Sequence, residues 1–172
     1  DLGMVDMAGQ NPDVATLRRT LEALRPSMAQ ILHERFGARL LAVYIYPAQM
    51  LFCQRPVNHL ADLAGRRVRV SGMSQADFVQ ALKATPVFTE FADIVANVQA
   101  GNAECAVTGS MSGHALGLDK VTQSIFTMPI SWGLALAVVN EQSWNSYPPA
   151  LQQLIEAQMP KLEAEVWAQS AR

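Results

Sequence analysis

Two stretches of this sequence constrain the fold more than any other part of the chain. The first, HLADLAGRRVRV at residues 59–70, runs from a short helical turn through Gly65 into a strand with alternating arginines. The second, ATPVFTEFADIVANVQAGNAECAVTG at residues 84–109, has the pattern of a loop, a helix, a glycine stop and a strand. Strand, helix and strand in this order form a parallel α/β unit. We therefore predict an α/β fold with a largely parallel sheet.

Arg69 lies at the carboxyl end of the first of these strands. Open α/β sheets bind ligands in the crevice outside the carboxyl ends of their strands, and a guanidinium group matches both oxygens of a carboxylate. The position favours a receptor for small organic acids over an enzyme. Period-two alternation also places Arg67 and Arg69 on one face, so the alternative is that both arginines cover a solvated face.

Composition and charge exclude several other classes of protein. The chain has 172 residues, of which 50% are apolar and 16% charged, which is an ordinary globular balance large enough for one core or two small lobes. Its net charge of −2 supplies no basic field for nucleic acid. The three histidines show no metal-ligand spacing, and no Ser–His–Asp arrangement or phosphate-binding glycine loop is apparent. We therefore predict no metal, no cofactor, no nucleic-acid partner and no catalytic residues.

The two cysteines, Cys53 and Cys105, leave three interpretations open. They form no CxxC pair, so we favour two half-buried free thiols that pack as small hydrophobes. A disulfide between them is the first alternative, because an oxidising compartment would permit it. A nucleophilic Cys105 is the second, although no neighbouring base supports it.

Glycine, proline and hydrophobic periodicity indicate where the other helices and strands lie. Pro26 is expected to separate two helices, Ser74 and Asp77 to form a capping box, and Pro160 to kink or split a long amphipathic helix. We predict helices at 14–24, 27–36, 74–83, 90–100, 110–118 and 148–168, and extended segments at 39–46, 66–70, 86–88, 105–108, 124–126 and 133–140.

Three segments together resemble a known family. They are RPVNHLADLAGRRVRV, the ATPV-to-AVTG stretch and VVNEQSWNSYPPALQQLIEAQ, in the order and spacing of the DctP-type solute-binding proteins of tripartite ATP-independent periplasmic (TRAP) transporters. The resemblance covers about residues 25–160. It implies a type II periplasmic-binding-protein-like fold, with two α/β lobes joined by crossing strands.

The resemblance also implies a division of this chain between the two lobes. Residues 1–45 would form part of lobe I, 46–133 the ligand-clamp lobe II, and 134–172 the return strand and long helix of lobe I. The chain is short for the family, and the opening part of the first lobe has no counterpart in it. We therefore expect a fragment of a longer protein.

The same resemblance assigns ligand-binding residues. Arg69 matches the carboxylate-binding arginine of the family, and Phe91 matches an aromatic residue that lines the cleft. Gln49 stands where many members have a second arginine, and Thr108 stands where many have asparagine. One strong cation beside hydroxyls and aromatic surface suggests a monocarboxylate with an apolar or aromatic body.

Two more candidates resemble one branch of the family. Ser110 lies in the segment TGSMSGH, and Trp132 lies in PISWG. Each candidate also has a structural alternative. Trp132 and Phe91 could be packing residues, Thr108 and Ser110 could cap the following helix, and Gln49 could be a solvated loop amide.

As a family member, the protein would be an exported, periplasmic receptor rather than an enzyme. It would bind a small organic acid between its lobes, close by hinge motion and deliver the ligand to a TRAP membrane permease. One alternative is a small α/β enzyme with Cys105 as nucleophile. The other is a receptor of the same fold that reports to a signalling partner.

Overall fold

Helices and strands alternate along most of the chain. The computed structural model describes residues 2–171, beginning with a short 3-10 helix at Leu2–Asp6. In chain order, the helices and strands that follow are α1 (Val14–Phe36), β1 (Ala38–Ile45), β2 (Gln49–Cys53), β3 (Arg67–Val70), α2 (Met73–Ala81), β4 (Thr85–Phe88), α3 (Ile94–Gln99), β5 (Cys105–Gly109), α4 (Ser110–Leu116), β6 (Ser124–Ser131), β7 (Leu134–Asn140), α5 (Glu141–Ser146) and α6 (Pro149–Ser170). Further 3-10 turns lie at Leu60–Leu63, Phe91–Asp93 and Leu118–Lys120.

The chain divides into two units. The first comprises residues 2–6, Asp13–Tyr46 and 133–171. In it, β1 and β7 pair antiparallel, with Val43 opposite Leu136. Both α1 and α6 contact β1. The predicted strands at 39–46 and 133–140 are confirmed to within one residue at each end.

The helix α1 is continuous, so the predicted break at Pro26 is wrong. The Oδ1 atom of Asp13 caps its first turn by accepting a hydrogen bond from the Thr16 backbone N–H at 2.7 Å. Gly37 ends it in the left-handed region at φ 55°, where its N–H bonds the His33 carbonyl. Pro26 lies on the exposed side, where water can bond the carbonyl that a proline leaves without a donor.

The helix α6 is also unbroken, with Pro160 exposed inside it, so the predicted split there is wrong. Its apolar stripe is only partly covered: Leu154 and Leu162 are exposed, Ile155, Met159 and Val166 are half-buried, and Trp167 is the one buried residue among those described in this helix. Polar contacts attach the helix to β1 instead. Trp167 Nε1 donates to the Val43 carbonyl at 2.8 Å, and Glu163 Oε2 accepts from the Val43 N–H at 2.9 Å.

The second unit, Met7–Pro12 and Pro47–Trp132, contains a five-stranded sheet in the order β4-β3-β5-β2-β6. β3 pairs parallel with β4 and β5, whereas β2 pairs antiparallel with β5 and β6. Four strands therefore run in one direction, but β2 is reversed between β5 and β6, so the sheet is mixed rather than largely parallel as predicted. β2 was missed because its sequence, QMLFC, contains no β-branched residue and no polar alternation.

Both faces of this sheet are packed. One face carries Val68, Val70 and Val107 against α2, and the other carries Phe52 and Ala106 against α3. Burial on both faces accounts for the nearly continuous apolar sequence of β5, CAVTG, which is buried throughout. Since β3 alternates, Arg69 emerges on the face of Ala106, its register partner in β5.

Cys53 and Cys105 stand opposite each other on β2 and β5, and an S–S bond of 2.04 Å joins them. The favoured interpretation as two free thiols is therefore wrong, and the alternative of a disulfide is confirmed. Neither residue is accessible to solvent. The antiparallel β2, absent from the sequence prediction, is what brings the two sulfurs together.

The predicted capping box of Ser74 and Asp77 is also wrong. Gly72, which makes no side-chain cap bond, precedes the first residue of α2. The Ser74 Oγ atom instead accepts a hydrogen bond from the Ala8 N–H at 2.6 Å. This bond attaches the segment Met7–Pro12 to the second unit, where the Gly9 N–H also donates to the Ile130 carbonyl. None of the helices within residues 2–171 is both long and apolar enough to cross a membrane.

Candidate ligand-binding site

The carboxyl ends of β3, β4, β5 and β6 lie at one edge of the five-stranded sheet, which we call the carboxyl edge. β2 begins at the same edge, since Gln49 pairs with Gly109 and with Ser131. The ligand sites of open α/β sheets occupy this kind of edge. All six candidates from the sequence lie on it or in the turns that leave it: Gln49, Arg69, Phe91, Thr108, Ser110 and Trp132.

Arg69 is only 4% exposed, so the alternative of a solvated arginine is wrong for this residue. Its Nε and Nη2 atoms both donate to the Thr89 carbonyl, at 3.0 and 2.8 Å, and Nη1 donates to the Val107 carbonyl at 2.9 Å. Arg67, at the other end of β3, is exposed and bonds the carbonyls of Gly101 and Asn102. The two arginines differ in exposure because the turn that follows β4 covers the carboxyl end of β3, where Arg69 lies.

These bonds leave part of the Arg69 guanidinium uncommitted. Arginine has five N–H donors, and three bond the two carbonyls, so two have no acceptor among the described residues. Nε–H and one N–H of Nη2 both donate to the Thr89 carbonyl. The other N–H of Nη2 therefore points away from Thr89, toward the outer end of the guanidinium group. Burial lowers the pKa of Arg69, and the negative charge of Glu90 opposes that shift. A desolvated cation with free donors is suited to an anionic oxygen.

Thr108 and Ser110 stand beside Arg69 at the end of β5. Thr108 is 3% exposed and lies on the same face of the sheet as Arg69, because it alternates with Ala106. Ser110 is exposed and is the first residue of α4. The N-cap of α4 is Gly109 and makes no side-chain bond, so the capping role considered for the two hydroxyl residues is not found.

Gln49 and Trp132 lie on the far side of the carboxyl edge, where a hydrogen bond joins them. Gln49 is on a strand and half-buried rather than in a solvated loop, and its Nε2 donates to the carbonyls of Pro47 and Trp132 at 3.2 and 3.4 Å. Trp132 is buried, and its indole Nε1 donates to the Asn11 carbonyl at 3.0 Å. Gln49 is thus oriented by the backbone around it, and Trp132 packs within the second unit.

Phe91 is one of four exposed apolar side chains at or just after the carboxyl ends of β3, β4 and β5. Phe91 follows β4 and is 51% exposed, so it does not anchor the start of its helix in the core. The other three are Met73, Phe88 and Met111, which are 67%, 57% and 72% exposed. Exposed apolar groups at the same edge as a buried cation suit a ligand with an apolar body and one acid group.

Sequence reasoning missed three polar residues at the same edge. The Gln75 side chain, 7% exposed, bonds both Ser71 and Ser131. The segment SGMSQ, which follows β3 directly, was a usable signal, because polar residues just after a parallel strand lie at its ligand-binding edge.

The Cys105 sulfur is bonded to Cys53 and buried, so it is not the free nucleophile that the enzyme alternative requires. Within residues 2–171, no group of three or more His, Cys, Asp or Glu side chains could hold a metal ion. The edge offers one cation, hydroxyls, an amide and apolar surface.

Comparison with known structures finds the same fold in bacterial solute receptors. A Bordetella pertussis extracytoplasmic solute receptor that binds pyroglutamic acid superposes with a TM-score of 0.89 at 20% identity, covering 99% of this chain and 56% of that one. A Sulfitobacter TRAP periplasmic solute-binding protein with bound α-D-taluronate gives 0.86 at 22% identity, covering 99% and 56%. One from Pseudomonas aeruginosa with bound L-malate gives 0.85 at 17% identity, covering 96% and 58%.

These solved structures share the fold of this chain. A family model described as bacterial extracellular solute-binding protein, family 7, matches residues 12–172, and the chain belongs to this family, DctP. It spans a little over half the length of the solved structures that it matches. A search of curated proteins finds no sequence match.

Proposed function

We propose that this chain is the ligand-clamping part of an extracytoplasmic receptor for a small organic acid, with Arg69 binding the carboxylate. The observation that carries the proposal is the buried Arg69 guanidinium at the carboxyl edge, with two N–H groups uncommitted. Burying a guanidinium without an anion is costly. A carboxylate on its free end would supply the missing charge and hydrogen bonds.

Family membership and the solved relatives support this proposal. The family is one of extracellular solute-binding proteins, and the relatives hold pyroglutamic acid, taluronate and malate. For this chain we propose a monocarboxylate with an apolar body, because Arg69 is the one buried cation among the described residues and the same edge exposes apolar side chains. Thr108, Ser110, Gln49, Phe91 and Trp132 are proposed to line the same site.

The remaining proposals concern the whole protein. We infer that it acts in the periplasm, hands its ligand to the membrane subunits of a TRAP permease and performs no chemical conversion. The buried disulfide supports an oxidising compartment. We also infer that the units separated at residues 46/47 and 132/133 correspond to the two lobes of the family.

Ligand-induced stabilisation tests the role of Arg69. The purified protein would be screened by thermal shift against monocarboxylates, dicarboxylates and sugar acids, and the best acid measured by calorimetry. We expect Arg69→Ala to weaken that binding by about 2–5 kcal/mol, since the carboxylate would be desolvated without a partner.

Arg67→Ala is the matched control, because Arg67 is the same residue type on the same strand but at the opposite edge. It should leave affinity unchanged. A folded Arg69→Ala protein with wild-type affinity for the acid would refute the clamp.

A further inference from the structure

Gln75 and Ser131 form a buried polar pair at the carboxyl edge that no role assigned above uses. Gln75 is 7% exposed and belongs to the first turns of α2, and Ser131 is 5% exposed and ends β6. In the sheet order, β3 and β6 are separated by β5 and β2. From its position on α2, the Gln75 side chain therefore links the end of β3 to the end of β6 by bonding Ser71 and Ser131. Buried amides are costly unless their hydrogen-bonding groups have partners.

The direction of each hydrogen bond shows which donor and acceptor groups of Gln75 and Ser131 already have a partner. Gln75 Oε1 accepts from the Ser71 backbone N–H at 3.0 Å and from Ser71 Oγ at 3.1 Å. Gln75 Nε2 donates to Ser131 Oγ at 3.2 Å. The amide oxygen is thus fully engaged, which fixes the orientation of the side chain and directs the NH₂ group toward Ser131.

Two donors are left over from this arrangement. The amide NH₂ group has two N–H bonds, of which Ser131 takes one. Ser131 Oγ acts as an acceptor toward Gln75, so its own O–H proton is free to donate. Both donors belong to side chains that are more than nine-tenths buried. Neither carries charge, so they suit a neutral oxygen better than a second carboxylate.

We propose that Gln75 and Ser131 form an uncharged subsite that binds a hydroxyl or carbonyl oxygen of the ligand, and that it selects oxygen-substituted acids over plain ones. This inference rests on the proposed function, in which Arg69 holds the carboxylate of the same ligand. Ser71, which orients Gln75, follows Arg69 by two residues, so the pair and Arg69 lie at the same end of β3. Gln75 belongs to α2 on one face of the sheet and Arg69 emerges on the other, so a ligand that contacts both would lie across the carboxyl edge.

The discriminating power of such a subsite comes from its burial. An acid that lacks the second oxygen would leave two buried donors without a partner, whereas one that carries it would satisfy them. Sites that bind a polar group in this way reject the analogue that lacks it far more strongly than apolar pockets reject a missing methylene.

Calorimetry with matched acids tests the proposal. The probes are straight-chain monocarboxylates, each paired with its hydroxy and oxo derivatives of the same length. For wild type we expect at least one oxygenated member to bind roughly tenfold more tightly than its plain counterpart. Ser131→Ala should remove most of this preference while leaving the affinity for the plain acid unchanged. Gln75→Met, which keeps the length of the side chain, should act in the same way.

Ser124→Ala is the matched control, because Ser124 begins the same strand β6 and is also partly buried, but lies at the opposite edge. It should keep the wild-type preference. Equal affinity of wild type for plain and oxygenated acids would overturn the subsite while leaving Arg69 as clamp, as would a Ser131→Ala protein with an unaltered preference. Loss of all acid binding in Arg69→Ala, with the preference intact in wild type, separates the two roles. Failure of wild type to bind any acid would overturn both.

Discussion

Cys53 and Cys105 are directly opposed on antiparallel neighbouring strands and joined by a disulfide. The bond closes a loop with a sequence separation of 52 residues, which contains β3, α2, β4 and α3. It therefore connects the reversed strand β2 to the parallel part of the sheet. In the unfolded chain the same bond restricts the conformations of that whole loop.

Removing the disulfide is expected to destabilise the protein by roughly 4 kcal/mol, from the loop-closure entropy for this separation. Urea unfolding of oxidised protein, reduced protein and the Cys53→Ala/Cys105→Ala variant would measure it. The last two should agree with each other and unfold at lower urea than the first. Coincident curves for oxidised and reduced protein would show that the bond contributes nothing to stability.

Gly113→Ala is expected to destabilise the protein by about 1–3 kcal/mol, because a Cβ atom would overpack the contact between α4 and β2. At that position the added carbon would lie 2.5 Å from Cζ of the Phe52 ring, which is itself buried. Gly72→Ala is the control, since its Cβ would meet nothing within 4 Å. Thermal unfolding would measure both variants, and Gly113→Ala should melt at a lower temperature than Gly72→Ala. Equal melting temperatures for the two variants would contradict the close contact between Gly113 and Phe52.

Glu104 should make the protein sensitive to acid. A hydrogen bond from the Arg67 backbone N–H, supported by the Arg55 side chain, lowers the pKa of this carboxyl below its ordinary value of 4.5. A group with a depressed folded-state pKa stabilises above its unfolded pKa, and this stabilisation is lost as the pH falls through the folded value.

Glu104→Gln should accordingly cost about 1 kcal/mol at neutral pH, and the difference from wild type should shrink as the pH falls below 4.5. Urea unfolding at a series of pH values measures this. Glu22→Gln, at an exposed position on α1, should show no such trend. A difference between wild type and Glu104→Gln that grows toward acid pH would contradict the assignment.

The parts of the fold that sequence predicted well are those governed by local patterns. β3 and β5 were recognisable because valine-rich strands bounded by glycine are buried on both faces. Arg69 was placed correctly at the end of β3 for the same reason. The two prolines misled, because a proline on the exposed side of a helix costs one hydrogen bond that water can replace.

Features that depend on contacts between distant parts of the chain could not be predicted from local sequence patterns. The register of β2 against β5 decides that Cys53 meets Cys105, and nothing in the residues near either cysteine encodes it. Gln75 was overlooked for a similar reason, since its partner Ser131 is 56 residues away on the far strand of the sheet. The burial of Arg69 likewise depends on the turn after β4, which supplies the Thr89 carbonyl.

In the first unit, the ion pair of Arg25 and Glu163 should be coupled by about 1–2 kcal/mol in a double-mutant cycle. Both guanidinium Nη atoms donate to the carboxylate, at 2.8 and 2.6 Å, and the pair is only partly exposed. Glu163→Ala should cost more than Arg25→Ala, because it also leaves the Val43 N–H without its acceptor. The exposed pair of Arg39 and Glu156 provides the comparison, with an expected coupling below about 0.5 kcal/mol. Equal coupling energies for the two pairs, measured by urea unfolding, would mean that the bidentate geometry and burial of Glu163 add nothing to the attachment of α6.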